Sequence, residues 1–282
     1  MSLAIKRRAD VSPGQLAGLE AALAAFYKNP PPAYYPTADL SGPYDSKERP
    51  FHFDLVAQVR PGATVLEMGC GSGRLGSYVE NRGGTYTGID FSEQLIRDNQ
   101  CRLPRARFFT QETPLREKFD LVASLYTIEH VVDPPAYLEQ MWDYCCPGGL
   151  LAIICPEFVD SPGFAPSVYL GRTARRFRKK VLAGEFVDAG LHLIDWKIRG
   201  PLWKRQAQDC LPGAFWINLR PRILHSCDYA IDTDAVHLVR LLDLIWYFQR
   251  KGAKILRTSA EMPGISLEVS RYNRYLLAQK PG

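Results

Sequence analysis

Three glycines at alternate positions, Gly69, Gly71 and Gly73, follow an apolar run carrying the acid Glu67 in the stretch VLEMGCGSGR from residue 65 to 74. Glycine has no Cβ and tolerates a positive φ, so bare main chain lines whatever lies against this turn. A buried strand entering such a turn, with a helix leaving it, makes a site for a nucleoside cofactor. A dinucleotide fingerprint of the form G-x-G-x-x-G needs its third glycine at position 74, where Arg74 stands instead. The spacing therefore argues against a pyrophosphate-bearing dinucleotide. Asp90 lies 21 positions beyond Gly69, at the end of the next apolar run. A carboxylate there accepts hydrogen bonds from both hydroxyls of a ribose, which supports nucleoside binding without naming the cofactor.

The elements that must position these residues alternate along the chain. Residues 12–28 have helical spacing, and the Pro- and Tyr-rich stretch 29–44 stops that helix. A second helical pattern over 49–59 ends at Arg60-Pro61-Gly62, and strands are expected at 64–68, 86–89, 106–110 and 119–124, with helices at 74–81 and 92–99 between them. A helix over 136–144, a Pro147-Gly148-Gly149 turn and a strand over 150–155 follow. Toward the end come a helical pattern over 236–251, ending at Gly252, and strands over 253–258 and 274–279. Strand and helix in alternation predict an α/β fold with a largely parallel sheet.

Composition sets the class. At 282 residues, 46% hydrophobic and 23% charged, the chain is long enough for a substantial core and too apolar for intrinsic disorder. No apolar run reaches the roughly 20 residues that span a bilayer, and the N-terminal Lys6, Arg7, Arg8 and Asp10 do not read as a signal peptide, so a cytoplasmic location is expected. Seven cysteines without paired CxxC spacing read as reduced thiols.

The acid and Gly-x-Gly-x-Gly order, the phrase IEHVVDP over 128–134, the Pro-Gly-Gly turn and Pro156 together resemble the class I S-adenosylmethionine (SAM) methyltransferases that modify small molecules, including the ubiquinone-type O-methyltransferases. The resemblance covers about residues 48–156 and 235–282. It implies a Rossmann-like seven-stranded methyltransferase sheet with its last strand antiparallel, helices on both faces, and SAM at the carboxyl ends of the first, second and fourth core strands. It further implies that Gly69, Gly71 and Gly73 admit the methionine part of SAM, with Glu67 shaping the loop or meeting the ammonium group indirectly. Asp90 would take the ribose hydroxyls, Phe91 would pack on adenine, and Gln111 or Glu112 would meet the adenine amino group, where relatives commonly place Asp. Leu125 and Tyr126 would flank the transferable methyl.

Methyl transfer requires an acceptor aligned behind the methyl carbon, and a base when that acceptor is a protonated hydroxyl. His130, with an ordinary pKa near 6.5, is the first candidate and His237 the second. Some relatives carry E-x-x-E-H at this point and bind a divalent metal through it. Here Tyr126 replaces the first acid, so no metal is expected, although Glu129 and His130 with His225 or His237 would form a set of three. His52 and His192 have no comparable context and read as structural or exposed.

Between residues 157 and 227 lie about 70 residues that the resemblance does not explain, too many for a structureless loop. They carry twelve basic and six acidic side chains, a net +6, against −1 for the remainder. The expected organisation is an N-terminal appendage (1–47), a SAM-binding core (48–156), a basic, aromatic-rich cap (157–234) and a C-terminal completion of the sheet (235–282). The reading is a SAM-dependent methyltransferase of a small or medium-sized, possibly anionic acceptor, with O-methylation of a sugar or natural-product intermediate preferred. The alternatives are an RNA methyltransferase, suggested by the basic cap, and a noncatalytic SAM-binding regulator.

Overall fold

Arg60-Pro61-Gly62 turns the chain at a positive φ of 81° and delivers it into a five-residue strand whose last four residues are buried. Around that strand the chain builds a seven-stranded sheet flanked by helices. The structure, a computed structural model, describes residues 5–28, 30, 32–34, 43–111, 113–159, 177–224, 234–262 and 273–282. In chain order the elements are β1 (Ile5–Arg7), α1 (Pro13–Lys28), α2 (Pro50–Ala57), β2 (Thr64–Met68), α3 (Arg74–Asn81), β3 (Thr85–Asp90), α4 (Glu93–Arg102), β4 (Arg107–Thr110), β5 (Phe119–Leu125), α5 (Pro134–Tyr144) and β6 (Cys145–Pro156). The insertion adds α6 (Phe177–Leu182), α7 (Phe186–Ile194), α8 (Gly200–Gln208) and β7 (Trp216–Asn218). The chain then forms β8 (His237–Leu238), α9 (Leu241–Arg250), β9 (Lys254–Thr258) and β10 (Asn273–Gln279).

The large sheet has the order β4-β3-β2-β5-β6-β10-β9. Its first five strands run parallel, and β10 inserts antiparallel between β6 and β9, with Arg274 opposite Cys155 and Leu276 opposite Thr258. This is the Rossmann-like sheet with an antiparallel last strand that the resemblance implies. Alternation along the strands sends Leu66, Val122, Leu151, Ile153 and Leu276 to one core, roofed by α5 and α9. Val65, Leu121, Ala123, Ile154 and Tyr275 face the other, covered by Leu55 of α2, Leu75 and Val79 of α3 and Ile96 of α4.

Local chemistry fixes the element ends. Ser92 caps α4 by accepting the Leu95 N–H at 3.3 Å, and Pro134 and Pro135 occupy the first turn of α5, where their missing N–H groups cost nothing. Helix α9 ends at Gly252 (φ 85°), with Ala253 N–H donating to Phe248 O and Gly252 N–H to Gln249 O, a Schellman closure.

Two element assignments differ from the sequence reading. Pro147-Gly148-Gly149 is not a turn ahead of the fifth strand but a bulge inside β6: Cys145 pairs with Phe119 and Leu150 with Leu121, so three extra residues loop out on the β6 side. The helical pattern over 236–251 divides, because Val236 and Val239 are β-branched and sealed from solvent, and the chain stays extended through β8 until Arg240. A second sheet, β1-β7-β8, joins the N-terminal segment to the insertion through antiparallel pairs such as Ile5 with Asn218 and Ile217 with His237. Residues predicted as separate appendage and cap thus meet in one small sheet. Buried Arg240 ties the insertion to α9, donating to the carbonyls of Ala207, Cys210 and Leu211 and to Asp243 Oδ1 at 2.5 Å.

Candidate active site

The carboxyl ends of β2, β3 and β5 open on a cavity of about 690 Å³, a size within the range of small-molecule and cofactor sites. Gly69 and Gly71 put bare backbone on its wall, with φ of 76° and 48°. Gly69 N–H and Cys70 N–H both donate to Ile89 O, which bends the turn across the end of β3. A Cβ on Gly69 would sit 2.2 Å from Thr127 Cγ2, so the turn and the β5 loop touch too closely for any side chain. Gly73 does not line the cavity. Its α-carbon is the N-cap of α3 and abuts Phe108, so its glycine serves helix packing rather than ligand approach.

Asp90 ends β3, is buried, and lines the cavity. Its Oδ2 accepts Gly71 N–H at 2.8 Å and its Oδ1 accepts Ser92 N–H at 2.9 Å. Each oxygen retains a lone pair for an incoming hydroxyl. Burial raises its pKa, with the Ser92 and Gly71 N–H groups opposing that rise. Glu67 is buried behind the turn and accepts the Tyr86 hydroxyl; burial pushes its carboxyl up to about 8. Phe91 is exposed beside Asp90, its ring stacked 6.2 Å from Tyr27, and Gln111 borders the same region. Glu112 lies outside the described residues. Leu125 and Tyr126 close the β5 side, and Tyr126 holds a strained φ of 51° directly after the strand.

His130 lines the cavity at the end of a short helical turn over Ile128–His130. Its Nδ1 lies 3.4 Å from Asp234 Oδ2 and its Nε2 3.7 Å from Glu129 Oε1. Tyr27 Oη donates to the same Asp234 oxygen at 2.7 Å. The small sheet holds this turn in place: Val236 N–H donates to Glu129 O, and Asn218 N–H to Val236 O.

His237 does not join the cavity. It is sealed from solvent in β8 with Nδ1–H donating to Ile128 O at 3.1 Å, and burial pulls its pKa down to about 4. The expectation that it faces the acceptor is corrected, and with it the metal set built on His237; His225 lies outside the described residues. His52, read from sequence as structural or exposed, is a buried cavity wall stacked on Tyr126 at 5.9 Å and tilted against Tyr44 at 4.4 Å. Burial lowers its pKa to about 3.

The sequence reading assigns the insertion to a cap over this cavity. Among the described residues of the insertion none lines the cavity, and the wall opposite the sheet comes instead from α1 and the turn after it, with Leu23, Tyr27 and Tyr34. The sequence also reads the Tyr34-Tyr35 region as covering the site; Tyr34 is on this wall, and Tyr35 lies outside the described residues. The leucines of α1 at helical spacing give the helix but not what it packs against, so its place at the cavity wall comes only from the structure. Sequence reading missed Arg49 and Arg74, which flank the cavity from the N-cap of α2 and the first turn of α3.

The sheet order and the glycine turn beneath an acidic strand end define a Rossmann-like methyltransferase fold. Residues 44–257 match the family described as "Methyltransferase domain", and the chain belongs to it: it is a SAM-dependent methyltransferase with SAM as its cofactor. The ubiquinone biosynthesis O-methyltransferase of Ruegeria pomeroyi is 27% identical over 259 residues, covering 75% of this chain and 97% of that protein. The protein of the same name from Parvibaculum lavamentivorans is 28% identical, covering 67% of this chain and 76% of its own. Among solved structures, magnesium protoporphyrin IX methyltransferase from Synechocystis PCC 6803 with bound SAM superposes with a TM-score of 0.52 at 15% identity, covering 93% of this chain and 97% of that one. A Burkholderia thailandensis 1,6-didemethyltoxoflavin-N1-methyltransferase gives 0.53 at 15% identity, covering 96% and 92%. Both likenesses establish the fold.

Proposed function

We propose that the enzyme methylates a hydroxyl on a ring-bearing small molecule, with His130 as the base that accepts the hydroxyl proton. The observation that carries this reading is His130 itself, presented to the cavity between Glu129 and Asp234. A carboxylate at Nδ1 orients the imidazole and gives the cation that forms when it takes the hydroxyl proton a counter-charge, to which Glu129 beside Nε2 adds. The name shared by the Ruegeria and Parvibaculum relatives supports oxygen as the methylated atom. Leu23, Tyr27 and Tyr34 supply apolar and aromatic surface for a ring-bearing acceptor, with a sugar or natural-product intermediate preferred.

The residues present fit SAM. Asp90 offers lone pairs to a ribose, the Gly69 to Gly71 backbone leaves room for a close approach, and Arg49 and Arg74 bring guanidinium groups to a wall where an amino-acid carboxylate needs a cation. SAM supplies an electrophilic methyl group when bound. Asp90 would then fix the nucleoside end, Phe91 and Gln111 would border the base, and the buried Glu67 carboxyl would lie behind the turn that receives the ammonium group. The α1 wall excludes water from the acceptor, and His130 removes its proton as the oxygen attacks. Most of the rate follows from that alignment. The described basic residues of the insertion lie away from the cavity, which favours a small-molecule acceptor over RNA.

The test is SAM turnover against a panel of sugar and phenolic hydroxyl acceptors, read as S-adenosylhomocysteine formed. His130→Ala should lower turnover by about tenfold or more while SAM affinity holds. An unchanged rate in that variant would remove the base, and products methylated only at nitrogen or carbon would overturn the hydroxyl reading.

A further inference from the structure

A second concavity, a cleft of about 590 Å³, lies between the turn after β1, the first turns of α5 and helix α9. Its apolar lining is aromatic, from Phe215, Trp246 and Tyr247. Trp246 is held by Gly213, whose φ is 91° and whose α-carbon lies so close to the ring that a Cβ would stand 2.5 Å from it. The Arg250 guanidinium stands 5.3 Å from the centroid of the same ring. Arg8, Arg250 and Lys251 line the cleft against the acids Asp133 and Glu139, a net +1. Both acids are already engaged. Asp133 Oδ2 accepts from Arg8 Nη2 at 2.6 Å, and Glu139 accepts from Lys251 Nζ at 2.7 Å and from the Tyr247 hydroxyl. Arg250 is left exposed, with its ring contact and no acid among the described residues, and Arg8 Nε is enclosed without an acceptor among them.

We propose that this cleft is a second ligand site, one that takes a planar organic monoanion. An aromatic acid satisfies both of its features: the ring lies against the aromatic lining, and the carboxylate meets a guanidinium through charge-assisted hydrogen bonds. A volume of this size with a few polar groups around apolar walls is that of a small-molecule site. The charge sets the valence. With two of the three cations paired, one negative charge is matched, and a polyanion such as a nucleic acid lacks the run of free cations that it needs. Asp133 and Ala136 line both this cleft and the active-site cavity, so an occupant touches the helical turn that also walls the site. None of the residues assigned to SAM lines the cleft, nor does His130, so the inference is independent of those assignments.

Fluorine NMR of the full chain labelled with 5-fluorotryptophan tests it, with Trp246→Phe identifying the Trp246 resonance among the five tryptophans. Titration with 2-naphthoate should move that resonance in a saturable way, with a midpoint of about 1 mM or below. The uncharged isostere 2-naphthalenemethanol should need about tenfold more. Arg250→Glu should weaken the naphthoate response by about tenfold or more, with SAM affinity unchanged as the check on folding. A Trp246 resonance that stays still up to about 10 mM naphthoate overturns the proposal. An alcohol that binds as well as the acid reduces the cleft to an apolar surface, and an Arg250→Glu protein with the wild-type midpoint removes the guanidinium; either result also overturns it.

Discussion

Tyr27 donates its hydroxyl to Asp234 Oδ2 at 2.7 Å, joining the N-terminal helix to the segment that leads into β8. That oxygen is also 3.4 Å from Nδ1 of His130, so one carboxylate holds the cavity wall and the base candidate together. Asp234→Asn keeps the shape and removes the charge. The expected result is a fall in kcat of about tenfold or more, SAM affinity unchanged, and a displaced pH profile of kcat. Tyr27→Phe retains the stack on Phe91 and should cost less, mainly in acceptor KM. An Asp234→Asn enzyme with the wild-type pH profile would show that the carboxylate only braces the fold.

Asp90 has a double duty that makes its substitution informative. Its oxygens already hold Gly71 N–H and Ser92 N–H, so Asp90→Ala removes a ligand acceptor and also frees the glycine turn and the start of α4. Calorimetric SAM affinity should fall by about tenfold or more, since hydrogen bonds to a charged group contribute about 1.5–3 kcal/mol each. Asp90→Asn isolates the ligand contribution, because its one amide oxygen can still serve a backbone donor. SAM affinity within about threefold of wild type in both variants would remove Asp90 from the site.

The contrast between these residues and the two histidines shows which information the sequence holds. The β2 to β3 unit was legible because buried strands, a glycine turn and a strand-ending acid each have a local cause, and the antiparallel β10 followed from resemblance. His237 was not, because a histidine beside an apolar run reads the same whether it faces a cavity or the Ile128 carbonyl. What decides is the β1-β7-β8 sheet, which pairs His237 with Ile217 and brings in β1 from more than two hundred residues away in sequence. His52 was missed for the converse reason: its burial depends on Tyr44 and Tyr126, which no spacing rule connects to it. The placement of α1 as a cavity wall is tertiary information of the same kind.

Glu67 predicts a pH signature. Its folded pKa of about 8 lies above the ordinary 4.5 because burial disfavours the charged form. Between those values the folded state binds more protons than the unfolded one, so this group's contribution to stability falls as pH rises through the window and levels off above about 8. Glu67→Gln, which stays neutral, should therefore match wild-type ligand-free protein near pH 4.5 and gain Tm on it progressively up to pH 8. Binding of cationic SAM favours the carboxylate, so it should release a proton near neutral pH, measured as a buffer-dependent calorimetric enthalpy. A Tm difference that is flat across the window would contradict the buried, protonated carboxyl.

Two glycines should respond to the same substitution with opposite signs. Gly69 sits at φ 76° with Thr127 Cγ2 at 2.2 Å from any Cβ, so Gly69→Ala imposes both a left-handed alanine and a clash with the β5 loop. A non-glycine residue in that region costs about 1–3 kcal/mol before the clash is counted, and pushing Thr127 away displaces the wall beside Tyr126. Gly18 is an exposed position in the middle of α1 with nothing within 4 Å of its Cβ direction. There alanine should stabilise by about 0.5–1 kcal/mol through helix propensity and a less entropic unfolded chain. Thermal denaturation of the two variants reads both signs at once. Gly69→Ala should also lose SAM affinity while Gly18→Ala keeps it, and a Gly69→Ala protein with wild-type Tm and affinity would mean that the turn tolerates a side chain the geometry forbids.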